Sequence, residues 1–247
     1  MQRRFQIELK RGKKASLSAL SVISQAIKLS YLLELIETQS LNSAQLYIKK
    51  LSEETSKAAK VILNDPSIVE ARKRLDKSSN LFHPKLLKTK EIVENTFQKN
   101  KDAKVIIFAN YRSTVDELKS LLSAVSGAKP TILVGQKLGF TQKEQMEIIE
   151  KFNKNIYNVI IGTSITEEGL SIGSLDLAVF YDHNGSEIRK IQRSGRVARI
   201  KPGEIIHLVA KNTRDEALLW SSHRKEKRMH SLLKSMKRKI ESQQSLI

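Results

Sequence analysis

The chain contains no cysteine among its 247 residues, which excludes disulfide bonds and thiolate metal ligands. Its five histidines are scattered without the spacing of a metal-ligand set, so we predict no metal site. Aromatic residues make up only 5% of the chain. That fraction is too small for stacking on aromatic rings to dominate the binding of single-stranded nucleic acid.

Signals that direct a chain into or across a membrane are also missing. The start, "MQRRFQIELKRGKK", is basic but has no apolar core, so it does not form a signal peptide. No stretch approaches the ~20 apolar residues that a membrane span requires. We therefore expect an intracellular protein without a membrane partner, cytoplasmic if the source is prokaryotic or archaeal.

Positive charge is what the chain has in excess. Lysine and arginine number 44 against 26 aspartates and glutamates, which gives a net charge of +18 and a pI of about 10.0. A field of this size attracts polyanions. Nucleic acid is the first partner that it suggests, with an anionic membrane surface or solubility alone as the alternatives.

The first part of the chain has the rhythm of helices. From about residue 13 to 99, apolar residues recur at steps of three and four, and no β-branched alternating run interrupts them. The stretches "NDPS" and "HPKLL" each place a capping residue before a first-turn proline, which marks the start of a helix. We therefore predict a small helical bundle.

From Lys104 the rhythm changes to short apolar runs that alternate with helical stretches. This pattern predicts an α/β fold with a parallel sheet covered by helices on both faces. In such sheets ligands gather at the carboxyl ends of the strands. The loops predicted there are "ANYRST", "VGQKLG", "GTSITEEG" and "YDHNGS". The predicted strands are 104–109, 130–135, 157–163, 175–182 and 203–210.

A last helix is predicted over about residues 213–239. Its second half, from about residue 224, is densely basic. This basic part is either a solvated face or a surface that follows a nucleic-acid backbone.

The phosphate-binding loop G-x-x-x-x-G-K-[ST], expected of an α/β nucleotide enzyme, is missing. "RGKKAS" lacks the first glycine and the strand before it, and "VGQKLG" lacks the pair of lysine and serine or threonine. No acidic Walker B tetrad follows an apolar strand either. Alone, the chain is therefore not expected to hold Mg²⁺ and the β- and γ-phosphates in the usual way.

Two stretches near the predicted strand ends each have two interpretations. "GTSITEEG" offers N–H groups and small hydroxyls to a phosphate, or it is an ordinary connecting loop. "QRSGRVARI" places Arg193, Arg196 and Arg199 three residues apart around Gly195, and forms either a solvated face or one that meets an anion. A solvated face is the default for three arginines on a helix, although arginine forks can bind phosphate oxygens bidentately.

The order of three stretches carries a family resemblance. "IIFANYRST", "GTSITEEGLSI" and "QRSGRVAR" resemble motifs IV, V and VI of superfamily-two helicases, in that order. The motif V variant and the helical insert ahead of the sheet are similar to the Hef/FANCM/Mph1 branch. The resemblance is strongest over 104–210 and looser over 13–99. It implies a helical insert domain over 1–99 and a second, C-terminal RecA-like domain over 100–247, which includes the basic helix.

The resemblance implies a nucleotide-facing set of residues. Arg196 and Arg199 would be arginine fingers that stabilise charge on the transferring phosphoryl group of ATP. Gln192, the first motif VI residue, would lie near the nucleotide. Gly169 would shape the motif V loop, and Ser171 stands where the family usually has an aspartate that reaches the ribose.

A second set is implied to face nucleic acid. Thr163 matches the motif V threonine that contacts a strand phosphate, and Gly162 lies beside it. Arg112 and Ser113 follow the first strand and are candidates for backbone contact. Arg193 matches the arginine that couples the nucleotide cleft to the nucleic-acid side.

The resemblance implies the C-terminal portion of an ATP-dependent DNA helicase or translocase that acts on branched or fork DNA in DNA repair. ATP and Mg²⁺ would be held mainly by a first RecA-like domain, supplied in cis or in trans, so the isolated chain is expected to be inactive. The insert would be a thumb-like clamp on DNA or a packing domain. A stand-alone nucleic-acid-binding module and a part of an RNA helicase are the alternative functions.

Overall fold

The computed structural model describes residues 15–78, 81–135, 140–162, 175–182, 202–221 and 224. Its first part is a bundle of helices, as the spacing of apolar residues predicts. The helices of the bundle are α1 (Ala15–Thr38), α2 (Leu41–Glu53), α3 (Lys57–Leu63) and α4 (Pro66–Lys77).

Capping residues satisfy backbone N–H groups at the starts of these helices. The Ser40 side chain accepts a hydrogen bond from the Ser43 N–H at the start of α2, and Ser56 caps α3 in the same way. Asp65 caps α4, and Pro66 is its first residue. The sequence "NDPS" therefore marks a helix start, as predicted.

The bundle has two small apolar cores. Both are built from short side chains and leucines, and partly buried Tyr47, Leu63 and Ile68 pack against both of them. The bundle is thus one packed body with little buried volume. The buried residues of the first core are Leu32, Leu35, Ala44, Ile48 and Leu75, and those of the second are Leu51, Ala59 and Ile62.

Helix α1 corrects the expectation that no segment approaches a membrane span. Ser18–Thr38 is long and apolar enough to cross a membrane by length and composition, with a mean hydropathy of 1.4. In the structure Leu32 and Leu35 of this helix are buried against α2 and α4. Lys28 and Glu34 form ion pairs with residues outside the helix. The helix therefore has the contacts of a bundle helix.

The second part of the chain forms a five-stranded sheet. All strand pairs are parallel, in the order β2-β3-β1-β4-β5, which confirms the predicted α/β class. From the central strand β1 the chain passes to one side for β2 and β3, and to the other for β4 and β5. The elements are α5 (Pro84–Lys99), β1 (Val105–Phe108), α6 (Arg112–Ser123), β2 (Pro130–Leu133), α7 (Gln142–Asn153), β3 (Val159–Gly162), β4 (Leu175–Phe180) and β5 (Pro202–His207).

Helices cover both faces of this sheet. Along β1, Val105 and Ile107 are buried in a core that contains residues of α5 and α6, whereas Ile106 and Phe108 are buried in a core that contains residues of α7. Successive side chains of a strand point to opposite faces, so a strand buried on both faces reads as a continuous apolar run.

Helix α5 packs with the sheet. Its residues Leu86, Val93 and Phe97 are buried in the same core as β1. We predicted a division between the two domains at residue 99, which assigns α5 to the bundle. That division stays a prediction, and the packing of α5 favours one just before Pro84.

The end of the described chain is helical at residues 214–221 and 224. These residues fall within the helix predicted over about 213–239. The remaining basic residues of that prediction lie outside the described part of the chain.

Candidate nucleotide and nucleic-acid interface

The carboxyl ends of β1, β3 and β4 lie side by side. Phe108 is opposite Gly162, and the next residue, Ala109, donates its N–H to the Gly162 carbonyl at 3.0 Å. On the other side of β1, the Asn110 N–H donates to Oδ2 of Asp182 at 2.6 Å. Three of the loops predicted to gather ligands therefore begin at one edge of the sheet.

Gly162, a predicted neighbour of nucleic acid, has a steric reason to be glycine. A Cβ built at this position would lie 1.8 Å from the carbonyl oxygen of Leu133 on β2. Neighbouring backbones cannot move apart without breaking the β2–β3 pairing. Gly162 is therefore required by the sheet itself, whatever contacts a nucleic acid makes.

Arg112 and Ser113, the predicted contacts of a nucleic-acid backbone, are the first two residues of α6. Arg112 is exposed, and its Nε lies 3.1 Å from Oδ2 of the exposed Asp116. An exposed pair of this kind contributes little stability, so the guanidinium can leave it for a phosphate at small cost. The Ser113 hydroxyl instead lies 2.7 Å from the hydroxyl of Ser43 in the bundle.

The remaining predicted site residues lie outside the described part of the chain, and their roles stay predictions. They include the whole nucleotide-facing set and two of the nucleic-acid contacts. These residues are Thr163, Gly169, Ser171, Gln192, Arg193, Arg196 and Arg199.

A buried glutamine of the bundle reaches the carboxyl edge of the sheet. Gln39, between α1 and α2, donates from Nε2 to Oδ1 of Asp182 at 2.6 Å. Its Oε1 accepts from the Thr114 hydroxyl at 2.9 Å, and its backbone carbonyl accepts from the Tyr181 hydroxyl at 2.9 Å. We call Gln39 with these three partners the Gln39 latch.

A buried lysine lies beside the latch. Lys85 Nζ is 2.7 Å from Oδ2 of Asp215 and 3.9 Å from Oδ1 of Asp182. It also lies 4.3 Å from the centre of the Tyr181 ring. The ammonium group thereby has two carboxylates and an aromatic face around it, which is how a charge is tolerated in a protein interior.

Burial shifts the pKa of the two titratable groups in the latch. It raises the pKa of the Asp182 carboxyl, while Lys85, the Asn110 N–H and the Gln39 amide act in the opposite direction. Burial and the charge of Asp182 also raise the pKa of Tyr181. The Tyr181 hydroxyl therefore keeps its proton and remains a donor to the bundle.

A cavity of about 150 Å³ adjoins the latch. Three carboxylates line it, so its electrostatic character does not suit a phosphate. Among the described residues, no group of three or more His, Cys, Asp or Glu could hold a metal ion. The cavity is lined by Glu34, Thr38, Gln39, Asn110, Tyr111, Asp182, Asp215 and Leu218.

Sequence reasoning placed Asp182 in a strand-end loop but did not find the latch. Gln39 lies in the polar stretch "ETQSLN" between two apolar helices, where it reads as a turn residue. Its partner Asp182 is 143 positions away. The one indication in the sequence was that "YDHNGS" lies at the end of a predicted strand, where ligands gather.

The positive charge of the chain is unevenly distributed along the sequence. The described residues carry 24 lysines and arginines against 20 aspartates and glutamates, so they are close to neutral. Most of the excess falls in residues 1–14, 183–201 and 225–247. The segment with the three motif VI arginines is thus also one of the most basic segments.

Two family models match the chain. The helicase conserved C-terminal domain matches residues 85–201, which includes all three helicase-like stretches. A model described as the helical bundle of an ATP-dependent RNA helicase matches residues 1–82. The two matches meet at the start of α5, and together they account for both halves of the fold.

Individual relatives agree with the two models. The helicase domain of Hef from Pyrococcus furiosus has the same fold over 89% of this chain, with a TM-score of 0.75 and 39% identity. The DNA helicase mph1 of Neurospora crassa is 39% identical over 144 residues, 55% of this chain. The chain belongs to the superfamily-two helicases of the Hef/FANCM/Mph1 type.

A protein of Methanocaldococcus jannaschii whose name describes an ATP-dependent RNA helicase is 43% identical over 221 residues, 88% of this chain. This chain spans 28% of that relative, 12% of the Neurospora crassa helicase and 47% of the Hef structure. It corresponds to the helical insert and the RecA-like C-terminal domain of the family. The chain therefore spans less than half the length of each of these relatives.

Proposed function

We propose that the chain is the C-terminal portion of an ATP-dependent DNA helicase or translocase that acts on branched or fork DNA. The observation that carries the proposal is the stretch Q-x-x-G-R-x-x-R at 192–199. It follows the end of β4 in the chain and falls inside the match to the helicase C-terminal domain. The DNA helicase name of the mph1 relatives favours DNA as the nucleic acid along which the protein moves.

In this proposal the chain supplies one wall of an ATP site. Arg196 and Arg199 act as arginine fingers, and Gln192, Gly169 and Ser171 lie on the nucleotide side. A first RecA-like domain, in cis or in trans, supplies the phosphate loop and the Mg²⁺ site. When ATP and Mg²⁺ are bound there, the guanidinium groups stabilise the negative charge of the transferring phosphoryl group.

Nucleic acid binds on the other side of the motifs. Thr163 and Gly162 begin the motif V loop, and Arg193 links it to the nucleotide cleft. Arg112 contributes a phosphate contact because its pair with Asp116 is exposed. Ser113 also belongs to the proposed set, although its hydroxyl is engaged with the bundle in the free chain. The basic segments supply a further, sequence-independent attraction.

RNA as the track is the second candidate, because the Methanocaldococcus jannaschii relative has an RNA helicase name. Helicase motifs contact phosphates and do not distinguish the sugars. A stand-alone nucleic-acid-binding module without ATPase activity is the third. In each case we propose an intracellular location, the cytoplasm in a prokaryote or archaeon.

The isolated chain provides the first test. The 247-residue protein should bind fork DNA weakly and hydrolyse almost no ATP. Adding the first RecA-like domain should restore hydrolysis that DNA stimulates. A turnover of the isolated chain near the ~1–100 s⁻¹ of competent phosphoryl-transfer enzymes would contradict the proposal.

Competition between DNA and RNA tests which nucleic acid the protein prefers. Labelled fork DNA is bound to the complex with the first domain and displaced by unlabelled fork DNA or structured RNA of equal length at a fixed salt concentration. Salt is held constant because phosphate contacts make affinity depend steeply on it. Displacement at lower concentrations of RNA than of DNA would favour the RNA helicase.

A further inference from the structure

The bundle inserts a side chain into the crevice between the carboxyl ends of β1 and β4. The chain changes side at β1, and such a switch point is where a doubly wound sheet offers a crevice to a ligand. Here Gln39 enters it, and only 1% of this side chain is exposed. Its occupant is thus a residue of the neighbouring domain.

One glutamine joins several elements at this point. Its amide nitrogen bonds to Asp182 after β4, its amide oxygen to Thr114 on α6, and its backbone carbonyl to Tyr181. The second oxygen of Asp182 accepts from the Asn110 N–H after β1. The bundle, both central strand ends and α6 are therefore connected through two side chains.

Contacts around the latch fix the same arrangement. The Ser40 hydroxyl donates to Oε1 of Glu117 at 2.6 Å, next to the contact between Ser43 and Ser113. On the far side Arg214 pairs with Glu34 of α1. These contacts surround a buried centre, and a buried polar pair left without its partner is costly.

We propose that Gln39 and Asp182 are positioning residues that hold the helical bundle in one orientation on the carboxyl edge of the sheet. Asp182 is the last described residue before the segment that contains Arg193, Arg196 and Arg199. The latch therefore ties the bundle to the chain position where that segment begins. Its role in coupling nucleic acid to ATP hydrolysis rests on the proposed function, whereas its role in orientation does not.

The orientation is measured by the distance between two spin labels. The chain has no native cysteine, so cysteines introduced at the exposed Lys60 of α3 and Lys143 of α7 are the only labelling sites. Pulsed electron paramagnetic resonance on the full chain should give one narrow distance distribution. That distribution reports the position of the bundle relative to α7 on the sheet.

Exchanging the amide of Gln39 and the carboxyl group of Asp182 tests the hydrogen bond between these two side chains. Gln39→Glu removes the amide donor and places a second carboxylate against Asp182, so the distance distribution should broaden. Asp182→Asn alone should broaden it less, since an amide can keep one of its two bonds. The double variant restores one amide and one carboxylate in exchanged positions and should recover the narrow distribution.

The control is Glu70→Gln, which removes only an exposed pair with Arg74 and should leave the distribution unchanged. Circular dichroism accompanies each sample. If Gln39→Glu fails to fold, recovery of folding and of the narrow distribution in the double variant still supports the latch. A narrow wild-type distribution in folded Gln39→Glu, or a double variant no better than Gln39→Glu, would overturn it.

Coupling is measured separately in the complex with the first domain. Folded Asp182→Asn should lower the ratio of DNA-stimulated to unstimulated ATP turnover, and the exchanged double variant should restore it. An unchanged ratio would overturn the coupling role. If wild-type complex shows no ATPase, the proposed function fails, while the distance measurement still decides the orientation role.

Discussion

The sheet and the bundle bury their apolar residues to different degrees. Every residue of β1 and β3 is buried, and the helices on both faces complete two continuous cores. In the bundle, α1 leaves Val22 and Leu33 more than half exposed, at 62% and 54%. The central strands of the sheet are therefore fully packed within the described chain, whereas α1 of the bundle is not.

This difference indicates how the two parts are held together. The sheet supplies its own stability through apolar burial, about 25 cal/mol for each Å² removed from water. The bundle has smaller cores and takes its orientation from polar contacts with the carboxyl edge of the sheet, centred on Gln39 and Asp182. Apolar burial stabilises each part. At the junction, directional hydrogen bonds act together with the packing of Tyr111 against the bundle core.

The largest effect is expected in the core beneath the sheet. Phe152→Ala removes a fully buried ring of α7 and should lower the free energy of unfolding by about 3–5 kcal/mol. Met146→Ala on the same helix changes a side chain that is 51% exposed and should cost less than about 0.5 kcal/mol. Urea denaturation gives both values, and equal losses would contradict the described packing.

A smaller and more local effect is expected in the bundle. Leu51→Ala opens one of its small cores and should cost about 2 kcal/mol, the lower end for such a truncation, because these short helices can partly close the space. Hydrogen exchange should rise in α2 and α3 while β1 and β3 stay protected. The control is Leu46→Ala, at an exposed position of α2. Equal loss of protection in the sheet would show that the parts unfold together.

Ser113→Ala tests one contact between the parts. It removes the hydroxyl partner of Ser43 and should cost about 0.5–1.5 kcal/mol. Ser123→Ala, at an exposed position of the same helix, should lie within about ±0.5 kcal/mol of the wild type. A cost at Ser113 no larger than that at Ser123 would show that the hydroxyl contact does not hold the bundle.

The smallest effect is expected from pH at the start of α5. His83 Nε2 donates to the Glu37 carbonyl of the bundle, and its Nδ1 accepts from the Lys85 N–H. Burial is the main cause that lowers the pKa of His83, and Lys85 adds to it, against Asp215 and the Glu37 carbonyl. Protonation of Nδ1 would also break the cap.

Because the folded-state pKa of His83 lies below the ordinary 6.5, the unfolded chain binds more protons between the two values. This contribution to stability is present above pH 6.5 and is lost as the pH falls through the folded-state pKa. Melting temperatures from pH 8 to 5 should therefore fall more for the wild type than for His83→Asn, which keeps a cap without titrating. Melting temperatures that fall equally in the two proteins would contradict the assignment of this pH dependence to His83.

Local patterns predicted much of the fold. The β-branched runs predicted all five strands, and Pro66 and Pro84 marked two helix starts. Periodicity could not tell which core a helix face meets, so α5 was assigned to the bundle although it packs on the sheet. A helix pattern shows that a face is apolar but does not show its neighbour.

The candidate site also contains some residues that the sequence could predict and others that it could not. The family resemblance singled out Arg196 and Arg199, because the order of three helicase-like stretches is a long-range pattern that a sequence retains. The latch could not be predicted, because Gln39 and Asp182 meet only through the topology of the sheet. The steric need for Gly162 likewise depends on the neighbouring strand β2.

The central proposal is that this chain supplies the arginine wall of an ATP site that a first RecA-like domain completes. The most direct test compares Arg196→Ala with Arg189→Ala, a basic residue outside the motif spacing, after the first RecA-like domain has restored hydrolysis. An arginine finger contributes about 10³–10⁵ to turnover, so Arg196→Ala should abolish hydrolysis while Arg189→Ala retains it. Full turnover by the Arg196→Ala complex would contradict the account.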